Sequence, residues 1–472
     1  MPEEDFFNSF NKAVSIFNKH IEQDSFIRLV THNDADGLSS GGIMASVAIR
    51  RKARFKISSE KKLDDKLIAR LVEEKPDLVI FSDFGSGYLD IIAESLKQDV
   101  IVLDHHLPMD FEAENIVHIN PMLHELDGAR AIAASGVCYF FAKAIDPEYK
   151  DLACLGILGA LGDQQDKGER KSLIGLNTII EAEAVENHLL DKQVGLIFYG
   201  YETRPVAKAI AYTTIPYIPG LSGNESNCVA FLKEIGIDIL DGDKLRALAD
   251  LEDDEKTRLF SALSNHMVSS GCASDSIHQL IGTIYTFKLE EPSTSLRSGR
   301  EYGSLLNACG RMNKQGVGLS VAIGDREEAM VEAQETLELY RRTIGEALDW
   351  VQMNDKVEEM NHIYVIKAMD NINDTVIGVV SGILLSQGIL KKKKPIIATA
   401  VSEEDQLKVS ARGLEELVDQ GIHMGKIMQE AAEQVEGGGG GHDIAAGAYI
   451  PVKSEKKFLR EVDRLVGTFF DN

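Results

Sequence analysis

The chain has 472 residues, 44% of them hydrophobic, enough to fill the cores of two or three domains. Fifty Lys and Arg against 75 Asp and Glu give a formal charge of −25. This excludes a basic protein held to a polyanion by its overall field; any polyanion must be gripped locally, by a basic groove or by bound metal. With 26% charged residues and only 11 Pro, the chain does not read as disordered.

No apolar run approaches the ~18–20 residues of a membrane span, and the acidic start, Met1 to Phe10, is unlike a signal or transit peptide. Cys138, Cys154, Cys228, Cys272 and Cys309 are widely spaced, without a C-x-x-C. That argues against a disulfide framework and a thiolate zinc site, and the expected compartment is the cytoplasm.

Phe6, Phe10, Val14, Phe17 and Ile21 recur every three or four residues and predict an amphipathic helix. FIRLVTH (Phe26–His32), ARFKI (Ala53–Ile57), DLVIFSD (Asp77–Asp83), VIVLDHH (Val100–His106) and NIVHIN (Asn115–Asn120) then read as strands. Helices are predicted between several of them, over Leu38–Arg51, Leu63–Glu74 and Tyr88–Lys97. The alternation predicts an α/β domain with a mainly parallel sheet covered on both faces.

From Ala131 to about Lys192 the chain reads as helical, and from about Val194 to Glu290 as an irregular helical insertion. A long helix is expected over Asp325–Val351. Strand and helix alternate again through HIYVIKA, Val376–Gln387, PIIATAV, QLKVSAR and a helix from Leu414 to about Val435. A glycine run, Gly437–Gly441, and a final amphipathic helix follow. The expected domains are 1–192 (catalytic, with its N-terminal helix), 193–295 (helical insertion), 296–352 (connecting helices) and 353–472 (a smaller α/β domain). The Lys391–Lys394 run reads as a solvated turn.

Three predicted strands end in groups able to ligate metal: His32, Asp34 and Asp36; Asp83; and Asp104, His105 and His106. Asp163 ends the apolar run ILGALGD. Ligands of open α/β sheets collect beyond the carboxyl ends of the strands, where residues distant in sequence converge. Several carboxylates there would repel one another without a cation between them. The mixed oxygen and imidazole set suits Mn²⁺ or Mg²⁺, and a shared Asp can bridge two ions ~3.5–4 Å apart, as in-line phosphoryl displacement requires. Singly, each piece has a plainer reading: N-D-A-D-G as a helix N-cap, Asp83 as a turn residue, the His pair as a strand exit. Their recurrence at the same end of successive strands favours metal.

THNDADG, FSDFG, DHH and LGD, in this order, resemble the four motifs of the DHH phosphoesterase superfamily over about Ile27 to Asp163. The resemblance implies two divalent cations, Mn²⁺ before Mg²⁺. Asp34 and Asp83 would hold one, and Asp36, Asp83, His105 and Asp163 the other, with His106 near the scissile phosphate. His32 stands where the superfamily varies between ligand and bystander.

Downstream, GGGGGHDIAAGAYI (Gly437–Ile450) resembles the GGGH-x-x-AAG signature of the DHHA1 domain. A glycine run lets backbone N–H groups approach an anion, and a helix is expected to begin after it. Ser410 and Arg412, two apart on a strand, share a face. They resemble that domain's S-x-R phosphate-binding pair, so Gly440, Gly441 and His442 join them as substrate-binding candidates. LLNACGRMN (Leu305–Asn313) resembles a segment of RecJ-type nucleases, implying that Asn307 and Arg311 contact a nucleic-acid backbone; alone, it reads as a helix end.

The whole is similar to archaeal RecJ-like proteins, including the GINS-associated nuclease. The resemblance implies a 5′→3′ exonuclease on single-stranded DNA, and on RNA as an open alternative, acting in DNA replication and repair, with the insertion meeting GINS. Two other readings stay open: a nanoRNase-like hydrolase of short oligonucleotides or small nucleotide phosphoesters, and a replisome scaffold. The complete ligand set favours an enzyme over the scaffold.

Overall fold

The computed structural model describes residues 2–213, 216–272, 274–353, 355–386, 390, 393–402 and 405–470. Gln387, Lys391 and Lys392, which belong to two of the expected segments, lie outside the described residues. The chain divides into two compact units, Met1–Leu337 and Glu338–Asn472.

The first unit begins with α1 (Pro2–Glu22), β1 (Phe26–His32), α2 (Ala35–Arg50), β2 (Arg54–Glu60) and α3 (Asp65–Glu74). β3 (Leu78–Ser82), α4 (Leu89–Ser95), β4 (Asp99–Leu103) and β5 (Ile116–Ile119) follow. The five strands form one parallel sheet in the order β2-β1-β3-β4-β5. All five residues of β3 are buried, as a strand covered on both faces must be, which explains its unbroken apolar run. One face packs Val30, Val79, Phe81, Val100 and Val102 under Leu67, Leu71, Leu89 and Ile92 of α3 and α4.

The other face carries α2 with α5 (Ala134–Ile145) and α6 (Ala153–Gly162). Helix α2 is buried from Ala35 to Ala48, and its small residues permit this. A Cβ on Gly42 would lie 2.9 Å from the Ala322 side chain. α1 buries Phe6, Phe10, Ala13, Phe17 and His20, so its apolar stripe is rotated slightly from the expected one. Phe7 meets Phe140 edge-on at 5.0 Å.

After α7 (Asn177–Glu186), β6 (Leu190–Leu196) pairs antiparallel with β9 (Ile281–Phe287). Between these strands lie α8 (Val206–Ala211), α9 (Glu225–Glu234), the small hairpin β7 (Leu240–Asp241) and β8 (Lys244–Leu245), α10 (Asp253–Ser269) and α11 (Ser274–His278). They share a core of their own around Ile210, Leu232, Leu248, Leu259 and Leu263. α12 (Gly299–Arg311), α13 (Gln315–Ile323) and α14 (Glu328–Met353) return the chain to α2 and α6 and lead out of the unit.

The second unit holds β10 (Val357–Glu359), β11 (Tyr364–Met369), α15 (Ile377–Ser386), β12 (Ile396–Val401), β13 (Gln406–Arg412), α16 (Glu415–Val418) and α17 (Met424–Glu433). β14 (Gly438–Gly441), β15 (Ala445–Pro451) and α18 (Glu455–Gly467) complete it. Its sheet is mixed, ordered β10-β11-β12-β13-β15-β14, with only the β11–β12 pair parallel. Two expectations are corrected. The helix expected over Leu414–Val435 is two helices, separated where Gly421 takes φ +93°. The glycine run leads into no helix: Gly438–Gly441 is itself an edge strand, hairpinned onto β15. Backbone pairing, not helix propensity, decides this segment, because glycine brings no side-chain preference of its own.

Candidate metal centre

The strand order makes β1 and β3 neighbours at the point where chain progression reverses, and a crevice forms there beyond the strands' carboxyl ends. Asp34 and Asp36 follow β1, Asp83 follows β3, and Asp104, His105 and His106 follow β4. Asp163 is the C-cap of α6. The structure brings all of them together. Three groups of donors, His32–Asp34–Asp83, Asp36–His105–Asp163 and Asp83–His105–His106, each lie within 4.8 Å.

Local structure fixes each side chain. Asp34 is the N-cap of α2 and accepts from Gly37 N–H at 3.0 Å, so the plain capping role and the site role coexist. Asp36 accepts from Ala134 N–H at 2.8 Å and Ser135 N–H at 2.9 Å, the first turn of α5. Gly159 of α6 faces this carboxylate, where a Cβ would overlap the Asp36 and Ser135 side chains. Asp83 adopts φ +64°, a region Asp tolerates better than most residues, and is 1% exposed.

The imidazoles are oriented from behind. His105 Nδ1–H donates to Gly128 O at 2.7 Å, which turns Nε2 toward Asp83 (3.4 Å), Asp36 (3.7 Å) and Asp163 (4.0 Å). Gln165 donates to the same carbonyl at 2.9 Å and to Asp163 at 3.1 Å. Asp104 faces away from the cluster's centre. One oxygen accepts from His106 Nδ1 (2.8 Å) and His105 N–H (2.8 Å), the other from Ser86 N–H (2.9 Å). His32 Nδ1 lies 3.0 Å from Asp34 and 3.4 Å from Asp83.

These contacts leave a deficit of positive charge. Both Asp83 oxygens and His32 Nδ1 are buried without a hydrogen-bond partner among the described residues. Burial, with Asp83 alongside, pushes the Asp36 carboxyl up to about 8, and burial also raises Asp163. Burial lowers the His105 imidazole, but Asp83, Asp163 and Asp36 outweigh it and raise the imidazole well above its ordinary value. Asp34 sits well below the usual carboxylate range: burial opposes this, and His32 with the Gly37 N–H prevails. Carboxylates forced to share protons, beside orphaned oxygens, are the condition a divalent cation relieves. The residues therefore fit hard cations held by oxygen and imidazole.

The remaining candidates fall into two places. Asn307 and Arg311 lie on α12 in the first unit. Asn307 Oδ1 accepts from Ala35 N–H at 3.0 Å, and Asn33 Nδ2 donates to Gly310 O at 3.3 Å, so this helix holds the loop that carries Asp34. Ser410 and Arg412 share one face of β13, where a Cβ on Gly378 would lie 2.7 Å from Ser410 Oγ and 2.8 Å from Arg412 Nη2. Gly440 and Gly441 are on the edge strand, and His442 opens the hairpin loop. The carbonyls of His442 and Asp443 accept the Gly425 and Met424 N–H groups that begin α17.

Sequence reasoning missed Gly128, Gln165, Ala134 and Ser135. Three of these act through backbone atoms and leave no side-chain signal; Gln165 stands two residues after Asp163, in LGDQQD.

The model described as the DHH family, N-terminal domain, matches residues 26–157; a DHH-CID domain matches 198–281 and a DHHA1 domain 361–468. Uncharacterized protein MJ0831 of Methanocaldococcus jannaschii is 33% identical over 460 residues, covering 96% of each chain. Among solved structures, CDC45 from Entamoeba histolytica has a TM-score of 0.66 at 11% identity, over 98% of this chain and 99% of that one. RecJ from Thermus thermophilus, in complex with Mn²⁺, has a TM-score of 0.58 at 16% identity. This chain is covered over 98% but spans only 55% of that RecJ chain. The fold and the cluster at the sheet's carboxyl edge are those of a DHH-type α/β protein. The chain belongs to the same family as MJ0831 and carries DHH, DHH-CID and DHHA1 domains, and its likeness to RecJ is one of fold.

Proposed function

We propose that the protein is a metal-dependent phosphodiesterase that degrades single-stranded nucleic acid, DNA in the 5′→3′ direction, with RNA as a further substrate. The observation that carries this is Asp83, a buried carboxylate with neither oxygen hydrogen-bonded among the described residues, shared by the donor groups His32–Asp34–Asp83 and Asp83–His105–His106. His32, Asp34 and Asp83 would hold one cation, and Asp36, Asp83, His105 and Asp163 the other. Bound there, two divalent ions, Mn²⁺ before Mg²⁺, supply Lewis-acid charge to the phosphoryl group and make water a usable nucleophile at neutral pH.

The chain's own groups do the rest. Asp104 accepts the His106 Nδ1–H and favours the imidazolium form, whose Nε2–H can donate to a phosphoryl oxygen. Arg412 and Ser410, with His442, Gly440 and Gly441, grip the terminal phosphates. Asn307 and Arg311 accompany the backbone. A cytoplasmic site of action in DNA replication or repair, with the insertion docking a GINS-type complex, belongs to the same reading. A DHH-CID domain matches 198–281 within the insertion, and the likeness to CDC45 is one of fold. No helix among the described residues is long and apolar enough to cross a membrane.

The test is parallel Mn²⁺-dependent digestion of end-labelled long DNA, long RNA and a five-nucleotide oligomer. Release of mononucleotides from one end of the long DNA supports the exonuclease. Cleavage confined to the oligomer replaces it with a short-oligonucleotide hydrolase.

A further inference from the structure

The sheet of the second unit has one face that the phosphate-gripping residues occupy only in part. β13, β15 and β14 are adjacent, and their registers set side chains in rows. Ser410 lies opposite Gly447, which lies opposite Gly440. Lys408 lies opposite Tyr449, which lies opposite Gly438. Directly opposed residues point to the same face, so both rows share it. The other face is covered by α17: a Cβ on Gly439 would lie 2.6 Å from Met428 O. On the face of Lys408 and Tyr449, a Cβ on Gly438 or Gly440 would meet nothing within 4 Å.

Three functional groups border this open glycine floor. Lys408 Nζ lies 5.3 Å from the centroid of the half-buried Tyr449 ring, on the side away from Gly438. Ser410 is 5% exposed. Arg412 stands one strand step beyond it, beside Gly378. Lys408 and Ser410 are two residues apart, roughly 7 Å along the strand, close to the separation of successive phosphates in an extended single strand.

We propose that Tyr449 and Lys408 form a base-stacking subsite, adjoining the phosphate grip at Ser410 and Arg412, for the neighbouring nucleotide of a single strand. The base lies on the glycine floor against the Tyr449 ring, and Lys408 faces its phosphate. Every base has a π-face, so such a subsite binds without regard to sequence. Backbone contacts supply position and stacking supplies affinity. The inference rests on the nucleic-acid reading above and deepens it. A cross-strand Lys–Tyr pair that serves the sheet alone is the competing account.

The experiment uses the full chain carrying Asp83→Asn, so that the probe stays intact. Fluorescence anisotropy measures binding of fluorescein-labelled (dT)5 and of the same oligomer with single abasic positions. Adding Tyr449→Ala is expected to weaken (dT)5 about tenfold, as loss of one stacked base does, while Tyr449→Phe binds as the parent does. One abasic position should reproduce the loss in the parent and add nothing to Tyr449→Ala. Unchanged affinity in Tyr449→Ala, with or without a lowered melting temperature, overturns the subsite and leaves the nucleic-acid reading standing. If the parent does not bind the oligomer, and the wild-type chain cleaves neither DNA nor RNA, both fall together.

Discussion

Asp83 concentrates the problem this molecule solves with single residues: a carboxylate at the end of a fully buried strand, in a left-handed turn, with neither oxygen hydrogen-bonded among the described residues. Substituting Asp83→Asn keeps a side chain that tolerates positive φ and removes one of the crowded charges. The cation-free variant should therefore melt no lower than the wild type, while Mn²⁺-dependent hydrolysis falls by more than about a hundredfold, beyond the usual cost of losing an outer partner of a metal site. Scanning calorimetry and a nuclease assay on the same preparation check both halves. The cluster also sets a pH dependence. Asp36 moves from an ordinary value of 3.8 to about 8 on folding. The folded state then keeps a proton that the unfolded chain releases, so this contribution to stability is present below about pH 4 and is lost as pH rises toward about 8. The raised His105 acts in the same sense. The melting temperature of the cation-free protein should fall between pH 6 and pH 8, and saturating Mn²⁺ should flatten that slope. The candidate ligands were legible in the sequence because they gather just beyond apolar runs, the three strands β1, β3 and β4 and, for Asp163, the helix α6. Their supports were not, since Gly128 O and the Ala134 and Ser135 amides reach the site through distant backbone.

Among elements, α12 matters most to the site although it contributes no donor. Gly310 lets it approach the β1–α2 loop: a Cβ there would overlap the Asn33 carbonyl oxygen, one residue from Asp34. Gly310→Ala should destabilise the protein by about 1–3 kcal/mol through overpacking, and activity should drop with it as the loop shifts. A melting temperature within a degree of wild type would contradict that close approach. The LNACGR string is legible as a helix end, and as a nuclease segment by resemblance. Its hydrogen bond from Ala35 to Asn307 joins residues 272 apart in sequence and required the fold. The glycine run illustrates the opposite failure. Read as an anion loop before a helix, it is an edge strand, because alternate glycines admit α17 on one face and leave the other open. Propensity and spacing cannot express that; only pairing with β15 does.

At the scale of the whole molecule, the proposed single-strand substrate would have to be held by a chain of charge −25 through few contacts. If about three cationic side chains meet phosphates, the logarithm of the single-strand binding constant should fall with that of salt at a slope of about −2. Titrations at several salt concentrations measure it, and a slope of about −6 or steeper would mean a broad basic surface that the sequence does not contain. The alternating strands of the first 120 residues and the parallel sheet were readable, because strands buried on both faces announce themselves as unbroken apolar runs. The insertion's core around Leu232 and Leu259 was not, because its short helices carry weak periodicity. The account as a whole stands on paired cations at the carboxyl edge of the first sheet. Anomalous diffraction from crystals soaked in Mn²⁺ tests this most directly. Two peaks are predicted, one among His32, Asp34 and Asp83 and one among Asp36, Asp83, His105 and Asp163. A saturated crystal with no peak at Asp83 would contradict it.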